Sequence, residues 1–212
     1  MKSIKLRLVI HYLPMIMFTI IASIIFKLFT SVTDTIVFTT DVSGYISVFF
    51  LSITLLIGPF NLIFRRKNPL STDIRRDIGI YGGILAVIHS VVGLFAHLRG
   101  RPWLYFVKET ETGFVINLDN FGIANYTGLL ATLFIILLVA ISNNVSITAL
   151  KASKWKTLQR TSYLMFILVI VHSIYYREVL PEKEILTSIY MFIIALIIVI
   201  QLVGMRLKLA KG

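Results

Sequence analysis

Residues 80–100 read IYGGILAVIHSVVGLFAHLRG, an almost wholly apolar run with an imidazole, His89, near its middle. About 20 apolar residues is the length an α-helix needs to cross a hydrocarbon core of roughly 30 Å. Working outward, the same kind of run recurs near 9–29, 44–64, 78–98, 122–142, 161–177 and 185–206. Backbone polar groups in lipid must be satisfied within each segment, which selects helices. The predicted fold is therefore an all-α polytopic membrane bundle of six transmembrane helices, a single domain over residues 1–212.

Composition agrees. Hydrophobic residues make up 57% of the 212 and charged residues only 15%, more apolar surface than a soluble domain of this size buries. The net charge of +11 does not point to nucleic acid, because the cations sit in short clusters between apolar runs. The chain has no cysteine, which excludes disulfides, thiolate metal sites, iron–sulfur clusters and the C-x-x-C-H haem attachment. The N-terminal MKSIKLR followed by LVIHYLPMIMFTIIASIIF resembles a signal sequence, but no A-x-A site follows it, so it is expected to be retained as the first span.

Charge sets the expected orientation. Lys2, Lys5 and Arg7 precede the first span; Arg65, Arg66, Lys67, Arg75 and Arg76 join the second to the third. Lys151, Lys154, Lys156 and Arg160 join the fourth to the fifth, and Arg206, Lys208 and Lys211 close the sixth. The opposite loops hold Asp34 and Asp41, a mixed segment from Arg99 to Asp119, and REVLPEKE. The positive-inside rule then puts both termini in the cytoplasm of a protein of the cytoplasmic membrane. The long outer loop, RGRPWLYFVKETETGFVINLDNF, has the composition of a structured cap, with Trp103 and Tyr105 suited to the interfacial belt. No internal repeat is evident.

Two of the four histidines stand at one depth. His89 lies 12 residues beyond Asp77 and His172 lies 12 beyond Arg160, both on outward-running spans, hence roughly 18 Å in at 1.5 Å per residue. Two imidazoles at equal height could clamp a porphyrin through its iron. Gly82, Ala86, His89, Gly93 and Ala96 recur at helical spacing, and four of the five are small, leaving room for a flat macrocycle. Small residues at such spacing also let helices pack closely, and the histidines could instead relay protons or make interhelical hydrogen bonds. His11 sits near the cytoplasmic start of the first span, where no special role is needed. His97, with Arg99 and Arg101 after it, lies near the far surface, where a haem propionate, an anionic substrate or plain solvation would each fit. H-E-x-x-H, G-x-S-x-G, G-x-x-x-x-G-K-[ST] and G-x-G-x-x-G are all missing, as are the membrane acids of a carboxylate-driven pump.

The segments SGYISVFFLSITLLIGPFNLI, RRDIGIYGGILAVIHSV and WKTLQRTSYLMFILVIVHSIYY resemble the ferric reductase-like transmembrane domain family. Within it they are most similar to the haem-binding membrane subunit of the bacterial periplasmic methionine sulfoxide reductase system. The resemblance covers roughly residues 40–180. Its most specific pieces are Arg75-Arg76 and Gly79 leading to His89, and Trp155, Leu158, Arg160 and Tyr163 leading to His172. It implies a non-covalent b-type haem with His89 and His172 as axial ligands to iron. Gly82, Ala86 and Gly93 would lie beside the ring, with Arg99 and Arg101 near its propionates.

Two-haem members of the family carry a second histidine pair nearer the cytoplasm. Arg75 and Gln159 stand at the corresponding positions here, so one haem is expected, in the outer half. The resemblance implies an electron-transfer subunit of an oxidoreductase. Electrons would come from a separate flavin reductase or quinol, with FMN or FAD on the cytoplasmic side. They would pass to an external reductase partner or ferric iron. The competing expectation is a haem-free transporter or assembly factor that uses His89 and His172 for proton relay or substrate binding.

Overall fold

The structure is a computed structural model that describes residues 4–64, 72–179 and 184–209. It is helical apart from one small hairpin. A short α1 (Ile4–Arg7) leads through a π-helical turn (Leu8–Tyr12) into α2 (Leu13–Phe29). There follow α3 (Thr35–Ile63), α4 (Thr72–Gly93), a 3₁₀ turn (Pro102–Tyr105) and the strands β1 (Val107–Thr110) and β2 (Gly113–Ile116). The chain ends with α5 (Asn120–Ala140), α6 (Asn144–Gln159), α7 (Thr161–Val179) and α8 (Glu184–Leu209). Among the described residues five segments are long and apolar enough to cross a membrane: Leu8–Phe29, Thr35–Ile63, Asn120–Ala140, Asn144–Tyr176 and Tyr190–Leu207. The basic positions Lys2, 65–67 and Lys211, and residues 180–183 between α7 and α8, lie outside the described residues.

Helix ends explain where the boundaries differ from expectation. α3 begins at Thr35, ahead of the expected residue 44, because the Asp34 carboxylate accepts the backbone N–H groups of Ile36 (2.8 Å) and Val37 (3.1 Å). Its first turns are polar, yet they stay helical. The hydroxyls of Thr39, Thr40 and Ser43 fold back onto the carbonyls of Thr35, Ile36 and Thr39. Asp119 caps α5 through the N–H of Gly122, and Asn143 caps α6 through that of Ser146, both at 2.8 Å. Within α6, Lys151 takes φ 59° and breaks the helix into two pieces.

α4 stops at Gly93, five residues short of the expected end. The hydroxyl of Tyr105, which is 1% exposed, donates to the Gly93 carbonyl at 2.9 Å and accepts the His97 N–H at 3.0 Å. The 3₁₀ turn thus ties off the unwound end. Ala96 and His97 consequently lie in turns beyond the helix. The segment between α4 and α5 is structured: β1 and β2 pair antiparallel, Val107 opposite Ile116.

Two antiparallel helix pairs form the frame, α3 on α4 and α5 on α7, with α8 against α3 and α4 against α5. The central core is Leu51, Ala86, Ile135, Leu138 and Met165, drawn from all four frame helices. Met15 joins α2 to Val42, Ile46 and Phe50 of α3, while Leu55, Phe166, Ile194 and Ile197 knit α3, α7 and α8. The outward faces are also apolar, with Ile20 and Ile24 on α2, Leu133 on α5, Ile167 on α7 and Val199 on α8 exposed. Such a surface suits lipid.

Candidate functional site

The frame brings His89 of α4 and His172 of α7 together. Their ring centroids are 6.1 Å apart and their planes cross at 85°. Both line a cavity of about 400 Å³, within the range of ligand and cofactor sites. Each Nδ1 meets a backbone carbonyl: His89 that of Thr40 at 2.8 Å, His172 that of Ala124 at 2.7 Å. A carbonyl only accepts, so Nδ1 carries the proton in both rings. The lone pair is then on Nε2, which lies across the ring from Nδ1 and is turned away from the bonding helix. A carbonyl holding the Nδ1 proton in this way fixes the tautomer that an imidazole needs to bind a metal through its other nitrogen.

Glycine makes room for each ring. A Cβ on Gly44 would lie 2.7 Å from His89 Nδ1, and one on Gly128 would lie 2.6 Å from His172 Nδ1. The residues around the pair repeat as well. Ser43-Gly44 on α3 matches Thr127-Gly128 on α5, and His89-Ser90 on α4 matches His172-Ser173 on α7. Gly44 to His89 spans 45 positions and Gly128 to His172 spans 44. These pieces are too short to stand out along the chain. Helix pairing makes them visible as a local two-fold repeat.

The other expected site residues are dispersed. Ala86 and Gly93 line the cavity, but Gly82 does not: its missing side chain lets α3 approach, with Phe50 Cβ at 3.0 Å and the Ser47 carbonyl at 3.2 Å from where a Cβ would stand. Arg99 pairs with Asp34, and Arg101 with Glu109 at 3.4 Å, both on the exposed surface, and neither lines the cavity. His97 and Asp41 do line it, on the side where α4 unwinds. Ser90 shares a 2.6 Å hydrogen bond with Thr132, and Ser173 donates to the Tyr190 hydroxyl at 3.1 Å, so polar groups beside the histidines are partnered. Among the described residues no group of three or more His, Cys, Asp or Glu could hold a metal ion. Two imidazoles alone leave an ion short of ligands, and a macrocycle would supply the rest.

A second polar cluster lies toward the other end of α4, and the sequence reading passed over it. Asp77 is 1% exposed and takes both Arg7, which bonds its two oxygens, and His11 Nδ1 at 2.5 Å; the Tyr12 hydroxyl is 3.4 Å away. The π-helical turn places His11 and Tyr12 on the same carboxylate. His11 Nε2 is buried with no hydrogen-bond partner. Residues 7, 11 and 12 lie far from 77 in sequence, and only the spacing Arg7-x-x-x-His11 hinted at a shared face.

Arg75 and Gln159 occupy a second tier, toward the Asp77 end of α4, on the same plan. Arg75 Nε donates to the Thr54 carbonyl at 3.0 Å, and Gly58 follows four residues later, where a Cβ would sit 3.8 Å from Nη1. Gln159 Nε2 donates at 3.3 Å to Ser142 Oγ, which itself donates to the Leu138 carbonyl at 2.6 Å. The tiers are 14 positions apart along α3 and α4 (58 and 44, 75 and 89), and Ser142, just beyond the end of α5, lies 14 positions after Gly128. No family model, curated protein or solved structure matches the chain.

Proposed function

We propose that the chain is a six-span protein of the cytoplasmic membrane, with both termini in the cytoplasm, that carries electrons outward through one b-type haem held by His89 and His172. The observation that carries this reading is the facing pair of imidazoles. A transition metal lies about 2 Å from each imidazole nitrogen. Two rings on opposite sides of one ion therefore have centroids on the order of 6 Å apart, which the 6.1 Å separation matches. Each Nδ1 bonds a backbone carbonyl, both rings line a cavity whose walls are largely apolar, and Gly44 and Gly128 provide the clearance. The ferric reductase-like resemblance, with Arg75 and Gln159 in the inner tier, supports one haem.

A haem bound there supplies one-electron iron chemistry. The chain's own work is to hold the imidazoles in the right tautomer, exclude water and keep the group at a fixed depth. The apolar segment Asn144–Tyr176 joins α6 to α7; on this reading α6 lies at the cytoplasmic surface and α4 completes the six spans. Electrons reach the inner side from a separate flavin reductase, FMN or FAD, or a quinol, and leave to an external reductase or ferric iron.

A reduced-minus-oxidised spectrum of protein purified from haem-supplied cells tests this. The expected result is b-type bands at one haem per chain, lost in His89→Ala and in His172→Ala. Bands that survive both substitutions, or no bands in the wild type, would leave the histidines to a haem-free role in proton relay or substrate binding.

A further inference from the structure

The four-residue spacing between each carbonyl and its glycine has a physical cause. In an α-helix the Cα–Cβ bonds tilt toward the N-terminus, so the side chain at i+4 hangs over the turn that holds carbonyl i. Any Cβ there shields that carbonyl from a second donor. Glycine at 44 bares the Thr40 carbonyl, and glycine at 128 bares that of Ala124, while each carbonyl remains part of its own helix. The imidazole of the neighbouring helix then drops into the gap. Its Nδ1 and Cε1 lie 2.7 and 2.9 Å from an imagined Gly44 Cβ, and 2.6 and 2.9 Å in the case of Gly128. These distances are shorter than real carbon contacts, so a methyl there would force the ring to shift.

We infer that Gly44 and Gly128 are positioning residues, a matched pair of carbonyl-glycine sockets that fix the tautomer and the plane of His89 and His172 and so aim both Nε2 atoms into the cavity. The near-perpendicular ring planes follow from this. Each plane is set by its own helix pair, α3 with α4 or α5 with α7, and not by contact between the rings. The sockets also explain why the histidines tolerate burial. The Nδ1–H of each ring is satisfied by the backbone. The consequence for electron transfer rests on the haem reading; the sockets themselves do not.

The test uses the full chain in nanodiscs with ¹⁵N-labelled histidine, first without haem. Nitrogen shifts distinguish Nδ1–H from Nε2–H rings, and His89→Gln and His172→Gln assign the signals by their loss. Both rings are expected as Nδ1–H in the wild type. Gly44→Ala should remove that signature from His89 alone, and Gly128→Ala from His172 alone. Gly58→Ala, where a Cβ meets Arg75 only at 3.8 Å, should change neither.

With haem supplied, each socket variant should weaken haem retention about 10- to 100-fold, the usual cost of losing an outer-shell partner of a metal ligand. Either wild-type ring found as Nε2–H, or both Nδ1–H signatures persisting in a socket variant, would overturn the inference. If a socket variant does not fold, the wild-type tautomers decide it. A wild type with both signatures and no haem bands would sink the haem reading and leave the sockets standing.

Discussion

On α4, His89 and Arg75 stand 14 positions apart and meet α3 alike, each donating to a carbonyl four residues before a glycine. Their surroundings differ. His89 faces His172 across a cavity, with neutral groups at the centre. The N-terminal end of α4 is closed around charge, where Arg7, His11 and Tyr12 converge on a buried Asp77. One plan of helix packing thus carries an open neutral site and a closed ionic one. The difference teaches that the backbone supplies the socket and the side chain decides whether it binds a ligand or ties helices together.

The most complete break in this comparison is the removal of either ligand. His89→Ala and His172→Ala are each expected to abolish b-type absorbance while the bundle still folds, because the cavity already accommodates space. Folding would be checked by the far-ultraviolet circular dichroism of the same samples. At the N-terminal end of α4 the effect falls on stability. Asp77→Ala leaves the partly exposed Arg7 and the buried His11 without their shared carboxylate and should cost about 1.5–3 kcal/mol, read as a lowered unfolding midpoint in detergent with haem content per folded molecule unchanged.

A subtler test converts one tier into the other. Arg75→His with Gln159→His should not add a second haem, because the Ser142 hydroxyl still occupies the Leu138 carbonyl. Adding Ser142→Gly should raise haem stoichiometry above one, measured against protein by pyridine haemochrome. Smaller again is Asp119→Ala at the start of α5, expected to cost about 1 kcal/mol at neutral pH as a lost helix cap. The Gly122 N–H, followed by Lys108, holds the Asp119 carboxyl below the usual carboxylate range. A depressed pKa stabilises the fold above the unfolded value of about 3.9 and ceases to do so as pH falls through the folded one. Wild type and variant should therefore converge in acid melts. His97→Ala should be the mildest, leaving the bands largely intact, since His97 lies beyond the end of α4.

Much of the candidate site was legible along the chain. Counting 12 residues from Asp77 and from Arg160 put His89 and His172 at one level, because helical rise converts residue number into depth. The glycines beside them were harder. Gly82, on the same face as His89, looked like cofactor space but serves the close approach of α3, whereas Gly44 and Gly128 sit on other helices and carry no local mark. The end of α4 was also missed, since Gly93 is followed by apolar Leu94 and Phe95 that hydropathy reads as more span. The Tyr105 hydroxyl that stops the helix comes from the next segment. The Arg7–Asp77 pair was invisible for the same reason, its partners being 70 positions apart.

The sequence by itself determined the helical architecture, the apolar segments able to cross a bilayer, and the depth of the two histidines, because these depend on local composition and on a fixed rise per residue. Only the tertiary structure decided which helices pair, that the two rings face each other at 6.1 Å, and which glycines bare a carbonyl to hold them. Those outcomes depend on contacts across helices, where the absence of one Cβ on a neighbouring strand of chain matters more than anything adjacent in sequence.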